Sequence, residues 1–353
     1  MRLVGYKGYP FSSTYLNIWG VTEADSKPIA GRDYPRAWGQ FVDWFATEEG
    51  CRRYLERLRW PLGFQCPACG GAERPYRSSR GHLLCRGCRQ QCSVTAGTIF
   101  DKTRTPLRTW FAAAWYLTSQ KGGISALGLQ RALGLGSYQT SWAMLHRLRR
   151  AMVRPGRERL RGLVEIDETY VGVRNARKRQ RRKRPGRKQP TLKTLVAVAV
   201  EMPPAGGFGR IRLRRIRDGS EAQLLPFVCD AVAPGARIAT DGSMAYRALR
   251  EHGYDHFRQV HLGADDPAHV SMPGVHRVAA LLQRWLLGTH QGAVRSAQLD
   301  HYLEEFTFRF NRRSSRSRGL LFYRLLTQAV AAPPVTYRGI VKHGPSPQPV
   351  GFG

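Results

Sequence analysis

Four cysteines in two Cys-x-x-Cys pairs, Cys66-Pro-Ala-Cys69 and Cys85-Arg-Gly-Cys88, are the residues most plainly spaced for chemistry. Each pair is a tight turn that presents two sulfurs to one point, and two such knuckles can place four thiolates on a tetrahedral Zn²⁺. Gly70, Gly71 and Gly87 suit those turns. With all four positions filled by protein, the ion is expected to be structural, and folding of 61–100 to depend on it. Cys92 reads as a bystander thiol, and Cys51 and Cys229 as small core residues. Seven cysteines, an odd number clustered in pairs, indicate metal binding in a reducing, cytoplasmic compartment rather than a disulfide scaffold.

The second set is acidic. Asp167 follows the apolar run Leu163-Val164-Glu165-Ile166, and Asp241 follows Arg237-Ile238-Ala239-Thr240. An acid closing such a run is expected at the strand end, not in the core. Two carboxylates at neighbouring strand ends can hold Mg²⁺ or Mn²⁺. Such a pair activates an attacking water and stabilises the leaving oxygen in phosphoryl transfer. A third ligand is expected from a C-terminal helix. The segment Met272-Pro-Gly-Val-His276-Arg-Val278 opens one without an acid, so His276 would serve as ligand or proton acceptor. Asp265 and Asp266 in a loop, and Glu304 and Glu305 on a later helix, compete for that role.

The chain surrounding these residues is strongly cationic. Its 353 residues carry a formal charge of +32, which favours a polyanionic partner, DNA above all. Ten of the fifteen residues from Arg174 to Lys188 are Arg or Lys with no acid among them, Arg177, Lys178, Arg181 and Arg182 included. Such a block cannot pack and is expected to be disordered until it meets polyanion. Binding is then expected to weaken steeply with salt. A hydrophobic content of 42% is ordinary for soluble domains, and no apolar run of membrane-spanning length interrupts it.

The elements that must position these groups follow from periodicity. Residues 1–33 form an irregular tail, 34–60 a helical pair, 61–103 the zinc ribbon and 104–158 a group of helices. Residues 159–330 form a mixed-sheet domain carrying the basic insertion 174–190, and 331–353 a flexible tail. Helices are expected at Trp110–Leu117, Ser125–Leu133 and Gln139–Val153. The last two are joined by Gly134-Leu-Gly-Ser-Tyr138, a short turn of helix-turn-helix type. The last helix carries His146, Arg147, Arg149 and Arg150, read as phosphate contacts. Beyond it, strands at 163–166, 195–200, 211–216, 236–240 and 257–261 and helices at 221–232, 246–251, 276–287 and 297–310 give a multidomain α/β chain.

Taken together, Val164-Glu-Ile-Asp167-Glu-Thr-Tyr-Val-Gly172, Thr240-Asp241-Gly242, Gly288-Thr-His-Gln291, Tyr302-Leu-Glu-Glu-Phe306 and Phe308-Arg-Phe-Asn-Arg-Arg313 resemble the IS1595 family of bacterial insertion-sequence DDE transposases. Ser93 to Thr98 and Ser119 to Leu129 match the same group, so the resemblance spans about Tyr34 to Leu326. It implies a zinc ribbon ahead of a ribonuclease H-like core that cuts the ends of its own element and joins the 3′-hydroxyls to target DNA. Asp167 and Asp241 match the family's first two catalytic aspartates, and the third position falls on His276. A Lys usual further along that helix is replaced by Gln283. The implied partners are terminal inverted repeats, target DNA and further copies of the chain in a homo-oligomer on DNA. The alternatives are a DNA-binding regulator derived from a transposase, or a metal-dependent nuclease without strand transfer.

Overall fold

The computed structural model describes residues 27–79, 81–154, 156–173, 192–258 and 272–343. The chain divides into two compact units at Val94.

In the first unit, α1 (Trp38–Trp44) and α2 (Glu48–Arg59) bury an aromatic cluster in which Phe45 meets Phe41 and Tyr54 edge-on. The Thr47 hydroxyl caps α2 by accepting from the Gly50 amide. Glu48 and Glu49 lie in its first turn and Arg57 and Arg59 in its last, each sign at the end the helix dipole favours. Three two-residue strands follow, β1 (Tyr76–Arg77), β2 (Leu83–Leu84) and β3 (Gln91–Cys92), paired antiparallel in that order. Arg77 bonds Glu56 of α2 through both guanidinium nitrogens, which fixes this small sheet on the helix.

The second unit begins with α3 (Leu107–Ser119), α4 (Ala126–Leu133) and α5 (Tyr138–Arg150). Ser125 caps α4, and Gly134, left-handed at φ 61°, ends it as only glycine does without strain. The mixed sheet is then built from β4 (Leu163–Val173), β5 (Leu192–Met202), β6 (Ile211–Arg215), β7 (Arg237–Thr240) and β8 (Asp255–Arg258), in the order β6-β5-β4-β7-β8. The first three pair antiparallel, while β4–β7 and β7–β8 are parallel. Between β6 and β7 runs α6 (Glu221–Ala231). After the sheet come α7 (Pro273–His290), α8 (Leu299–Phe310), α9 (Arg318–Ala331) and α10 (Tyr337–His343).

Strand alternation sorts the two faces of the sheet. Val164, Ile166, Ala197 and Ala199 pack with α6, whereas Val171, Val196, Val198 and Val200 pack with α7 and α8. Helices α3, α4 and α5 contact one another. In addition α3 packs on α9, with Phe322 edge-on to Phe111 and Trp115, and α5 packs on α8. Three expectations are corrected here. Over residues 246–251 no α-helix forms; the chain makes a 3₁₀ segment, Met244–Leu249, followed by a turn. The last strand runs Asp255–Arg258, and residues 259–271, with Asp265 and Asp266, lie outside the described residues. The helix expected from 276 begins at Pro273. The hairpin arms β4 and β5 form over their full length, and the basic run between them lies outside the described residues. Among those residues no helix is long and apolar enough to cross a membrane.

Candidate active site

The four paired cysteines converge. Their sulfurs all lie within 4.8 Å of one another, with Cys66–Cys88 at 3.6 Å and Cys69–Cys85 at 3.7 Å. A tetrahedron with Zn–S bonds of about 2.3 Å has edges of about 3.8 Å, so the spacing fits zinc. Burial pushes the Cys66 thiol up, but N–H bonds from Cys69 and Ala68 and the neighbouring thiols outweigh it and bring it down to about 6. Cys92 is pushed up to about 11, first by burial and then by the Cys66 charge. It packs with Leu83 in the ribbon core and is not one of the four clustered sulfurs.

The acidic set assembles on β4. Asp167 lies in the middle of this eleven-residue strand, not at its end as its place after an apolar run suggested. It stays out of the core because β4 alternates. Val164 and Ile166 face α6, so Glu165 and Asp167 face α7. The parallel register sets Glu165 opposite Ala239 on β7, where the pairing of the two strands ends; Asp167 follows two residues on along β4, and Asp241 directly follows Thr240, the last residue of β7. Burial pushes the Asp167 carboxyl up and the Asp241 charge adds to it, while the Glu168 amide and His276 pull the other way; the net is a raised pKa. Asp241 accepts the Ser243 amide at 3.0 Å, which turns the chain directly after β7.

His276 lies in the first turn of α7, half-buried, and lines a cleft of ≈280 Å³ together with Asp167, Glu168, Tyr170 and Ala279. The ligand atoms of Asp167, Asp241 and His276 do not all fall within 4.8 Å of one another. Gln283, two turns beyond His276, donates to the Tyr170 carbonyl of β4 at 3.3 Å, so that side chain faces the same strand.

Two glutamates of β4 that sequence reasoning passed over belong to this region. Glu168 accepts the Tyr246 hydroxyl at 2.5 Å, and burial, then the charges of Asp167 and Asp241, raise its pKa despite that bond. Glu165, 5% exposed, accepts the backbone N–H groups of Gly274 and Val275 on one oxygen, at 2.7 and 3.1 Å. This explains why α7 starts three residues early. Met272 at its N-cap offers no side-chain cap, and the cap comes from another element. An acid in an apolar strand was the available signal, but its partner lies more than a hundred residues away.

The other candidates separate. Glu305 is fully buried and bonds Arg149 at 2.7 Å and Arg309 at 2.8 Å, which removes it as a metal ligand. Arg149, 1% exposed, is thereby corrected from a DNA contact to a core cation, since a guanidinium so enclosed cannot meet a phosphate. His146 is equally buried, tilted against Trp142 and edge-on to His301 and Tyr302. Arg147 is partly buried and donates to the Val335 carbonyl at 3.1 Å, and Arg150 is partly exposed. Arg177, Lys178, Arg181 and Arg182 lie outside the described residues.

The signature Phe308 to Arg313 proves to be a clamp. Asn311 both accepts from the Ile211 amide at 2.7 Å and donates to the Ile211 carbonyl at 3.2 Å, which pairs the end of α8 to the edge strand β6. Arg309 donates to the Leu117 and Gln120 carbonyls at the end of α3.

Two family models match the chain, an ISXO2-like transposase domain over residues 159–311 and a transposase zinc-ribbon domain over 46–91. A relative from Halobacterium salinarum, described as an uncharacterized protein in transposable element ISH50, is 28% identical over 281 residues, covering 75% of this chain and 91% of that one. Among solved structures, the Mos1 strand transfer complex aligns at 15% identity over 63% of this chain and 75% of the other, with a TM-score of 0.25. The Mos1 paired-end complex with left transposon end aligns at 13% over 52% and 79%, with a TM-score of 0.19. The zinc-ribbon and transposase-domain models, both of the IS1595 family, match successive stretches that together span more than half of the chain: the chain belongs to the IS1595 family of transposases.

Proposed function

We propose that this transposase cleaves the ends of its own DNA element and joins the freed 3′-hydroxyls to target DNA, with Asp167, Asp241 and His276 as the reacting set. The observation that carries the reading is that Asp167 on β4 and Asp241, directly after the neighbouring parallel strand β7, lie near enough for the Asp241 charge to act on Asp167, beside the cleft that His276 lines. The strand order, three antiparallel strands followed by two parallel ones with helices on both faces, supports the ribonuclease H-like core that the family resemblance implies.

The donor set fits Mg²⁺ or Mn²⁺. Two carboxylates offer hard oxygen ligands and net negative charge, and imidazole adds a nitrogen that suits Mn²⁺. When bound, such ions supply activation of water and charge stabilisation at the phosphate. The chain's own part is to hold the two aspartates rigidly on the sheet and to accept a proton near the attacking oxygen at His276. Cations on α5 and in 174–190 hold the duplex through phosphates, with α4 and α5 acting as a helix-turn-helix. Two ends imply a multimer on DNA, working in the cytoplasm on nucleoid DNA.

The deciding experiment incubates the full chain with duplexes carrying the element's own ends, with Mg²⁺ and Mn²⁺ in turn. Joined products support the reading. Cleavage without joining would make the protein a nuclease, and binding without nicking would make it a regulator.

A further inference from the structure

We propose that Glu165 is a positioning residue that sets His276 in register with Asp167 by holding the first turn of α7 against β4. The inference rests on the reading of Asp167, Asp241 and His276 as the reacting set.

The geometry separates this from ordinary helix capping. A cap normally comes from the residue just before the helix, and here that residue is Met272, which has nothing to offer. The first turn of α7 holds no acid, and Pro273 supplies no amide. Two of the orphan N–H groups, those of Gly274 and Val275, instead go to one oxygen of a carboxylate on another element. That carboxylate lies two residues from Asp167 on the same face of the same strand. The strand that carries the first aspartate therefore also fixes where the helix of His276 begins. The amides held are the two that directly precede the His276 amide.

The approach is close: a Cβ at Gly274 would fall 2.8 Å from the Glu165 carboxylate oxygen and 2.7 Å from the Met202 sulfur, so a larger residue there would have to displace both side-chain ends. Met202 and Glu165 come from neighbouring strands, β5 and β4, and the docking point is thus defined from two strands at once. A buried carboxylate is costly to keep, and a structural cap could have been made locally by Ser or Asp at position 272.

The test uses the full chain with its histidine Cε1 positions ¹³C-labelled and the His276 signal assigned by His276→Gln. In Glu165→Ala the His276 resonance is expected to move in the metal-free protein, and its broadening by added Mn²⁺ to be lost. Cleavage should fall about a hundredfold, the scale of loss for displaced reacting groups. DNA binding should persist. Because both N–H bonds end on a single oxygen, Glu165→Gln can accept them and is expected to restore the His276 resonance and its broadening. If Glu165→Ala fails to fold, Glu165→Asp, which keeps the charge and shortens the reach by one methylene, is expected to shift the same resonance. An unmoved His276 resonance in the folded variant, whatever happens to thermal stability, overturns the proposal, as does a Gln variant as impaired as Ala. Absence of Mn²⁺ broadening in the unsubstituted protein would overturn the reacting-set reading instead, while the metal-free resonance still decides the tether.

Discussion

Arg149 of α5 and Glu305 of α8 form an ion pair at 2.7 Å with both side chains closed to solvent. Arg309 closes the other carboxylate oxygen at 2.8 Å, and the Arg149 guanidinium lies 4.2 Å over the Tyr302 ring. The charges support one another, Glu305 being held below and Arg149 above its usual range despite the burial that opposes both. Gly123 passes so close that a Cβ there would fall 2.5 Å from Glu305. The Gly122 carbonyl beside it accepts from Trp285 and Thr289 of α7. One buried carboxylate thus sits where α5, α8 and the loop after α3 meet, next to the helix that carries His276.

Breaking this pair from either side leaves an uncompensated buried charge. Arg149→Ala and Glu305→Ala are each expected to destabilise the protein by about 3–5 kcal/mol, read as loss of midpoint in urea unfolding. Arg150→Ala, at a partly exposed position, is expected to leave that midpoint unchanged and to weaken DNA binding. Equal stability for Arg149→Ala and Arg150→Ala would contradict the burial argument.

Asp167→Asn and Asp241→Asn keep size and hydrogen bonding but remove the charge that would hold divalent ions. Each is expected to lower strand cleavage about a thousandfold or more, with DNA binding retained in a gel-shift assay. With imidazole in the third position, Mn²⁺ should support more cleavage than Mg²⁺. Unchanged cleavage in either variant would sink the site.

Acid should unfold this protein from the histidines inward. Burial, then the Arg149 charge, holds His290 down to about 3, and the same two causes hold His146 well below its ordinary value near 6.5. The unfolded chain therefore takes up these protons first as pH falls below about 6.5, and stability declines from there toward pH 3. The slope reaches about 1.4 kcal/mol per pH unit for each histidine. His290→Asn should flatten the curve of stability against pH between 6 and 4. An unaltered slope would show that His290 protonates freely in the folded chain.

Chelation should dismantle the ribbon. One zinc per chain is expected by metal analysis, and its release should unfold residues 61–94, with protease cuts appearing there first. Cys66→Ser should abolish zinc retention, because Cys66 is the buried thiol already drawn toward thiolate. Full retention by Cys92→Ser would confirm that Cys92 packs and does not ligate, and loss of zinc would reverse that assignment.

Much of the α/β order was legible, because strands and helices write their periods locally. The runs around Leu195 to Val200 and Ile211 to Ile216 became strands, and the helix expected at Ser125–Leu133 forms over Ala126–Leu133. The start of α7 was not legible, since nothing near Met272 marks it and its cap is Glu165. Nor was the burial of Arg149, as a cationic stretch at a helix end reads the same whether it faces water or a distant carboxylate. Tyr138 and Gln139, at the other end of α5, are its exposed residues.

The sequence by itself determined the cysteine knuckles, the two aspartates and the excess of cations, because ligand spacing within a turn and an acid set in an apolar run are local facts. Only the tertiary structure decided that Asp167 lies mid-strand, that Glu305 is a core anion and that Glu165 anchors the helix of His276. Each of those depends on a partner brought close by strand register or helix packing, and a buried charge takes its meaning from the group that neutralises it.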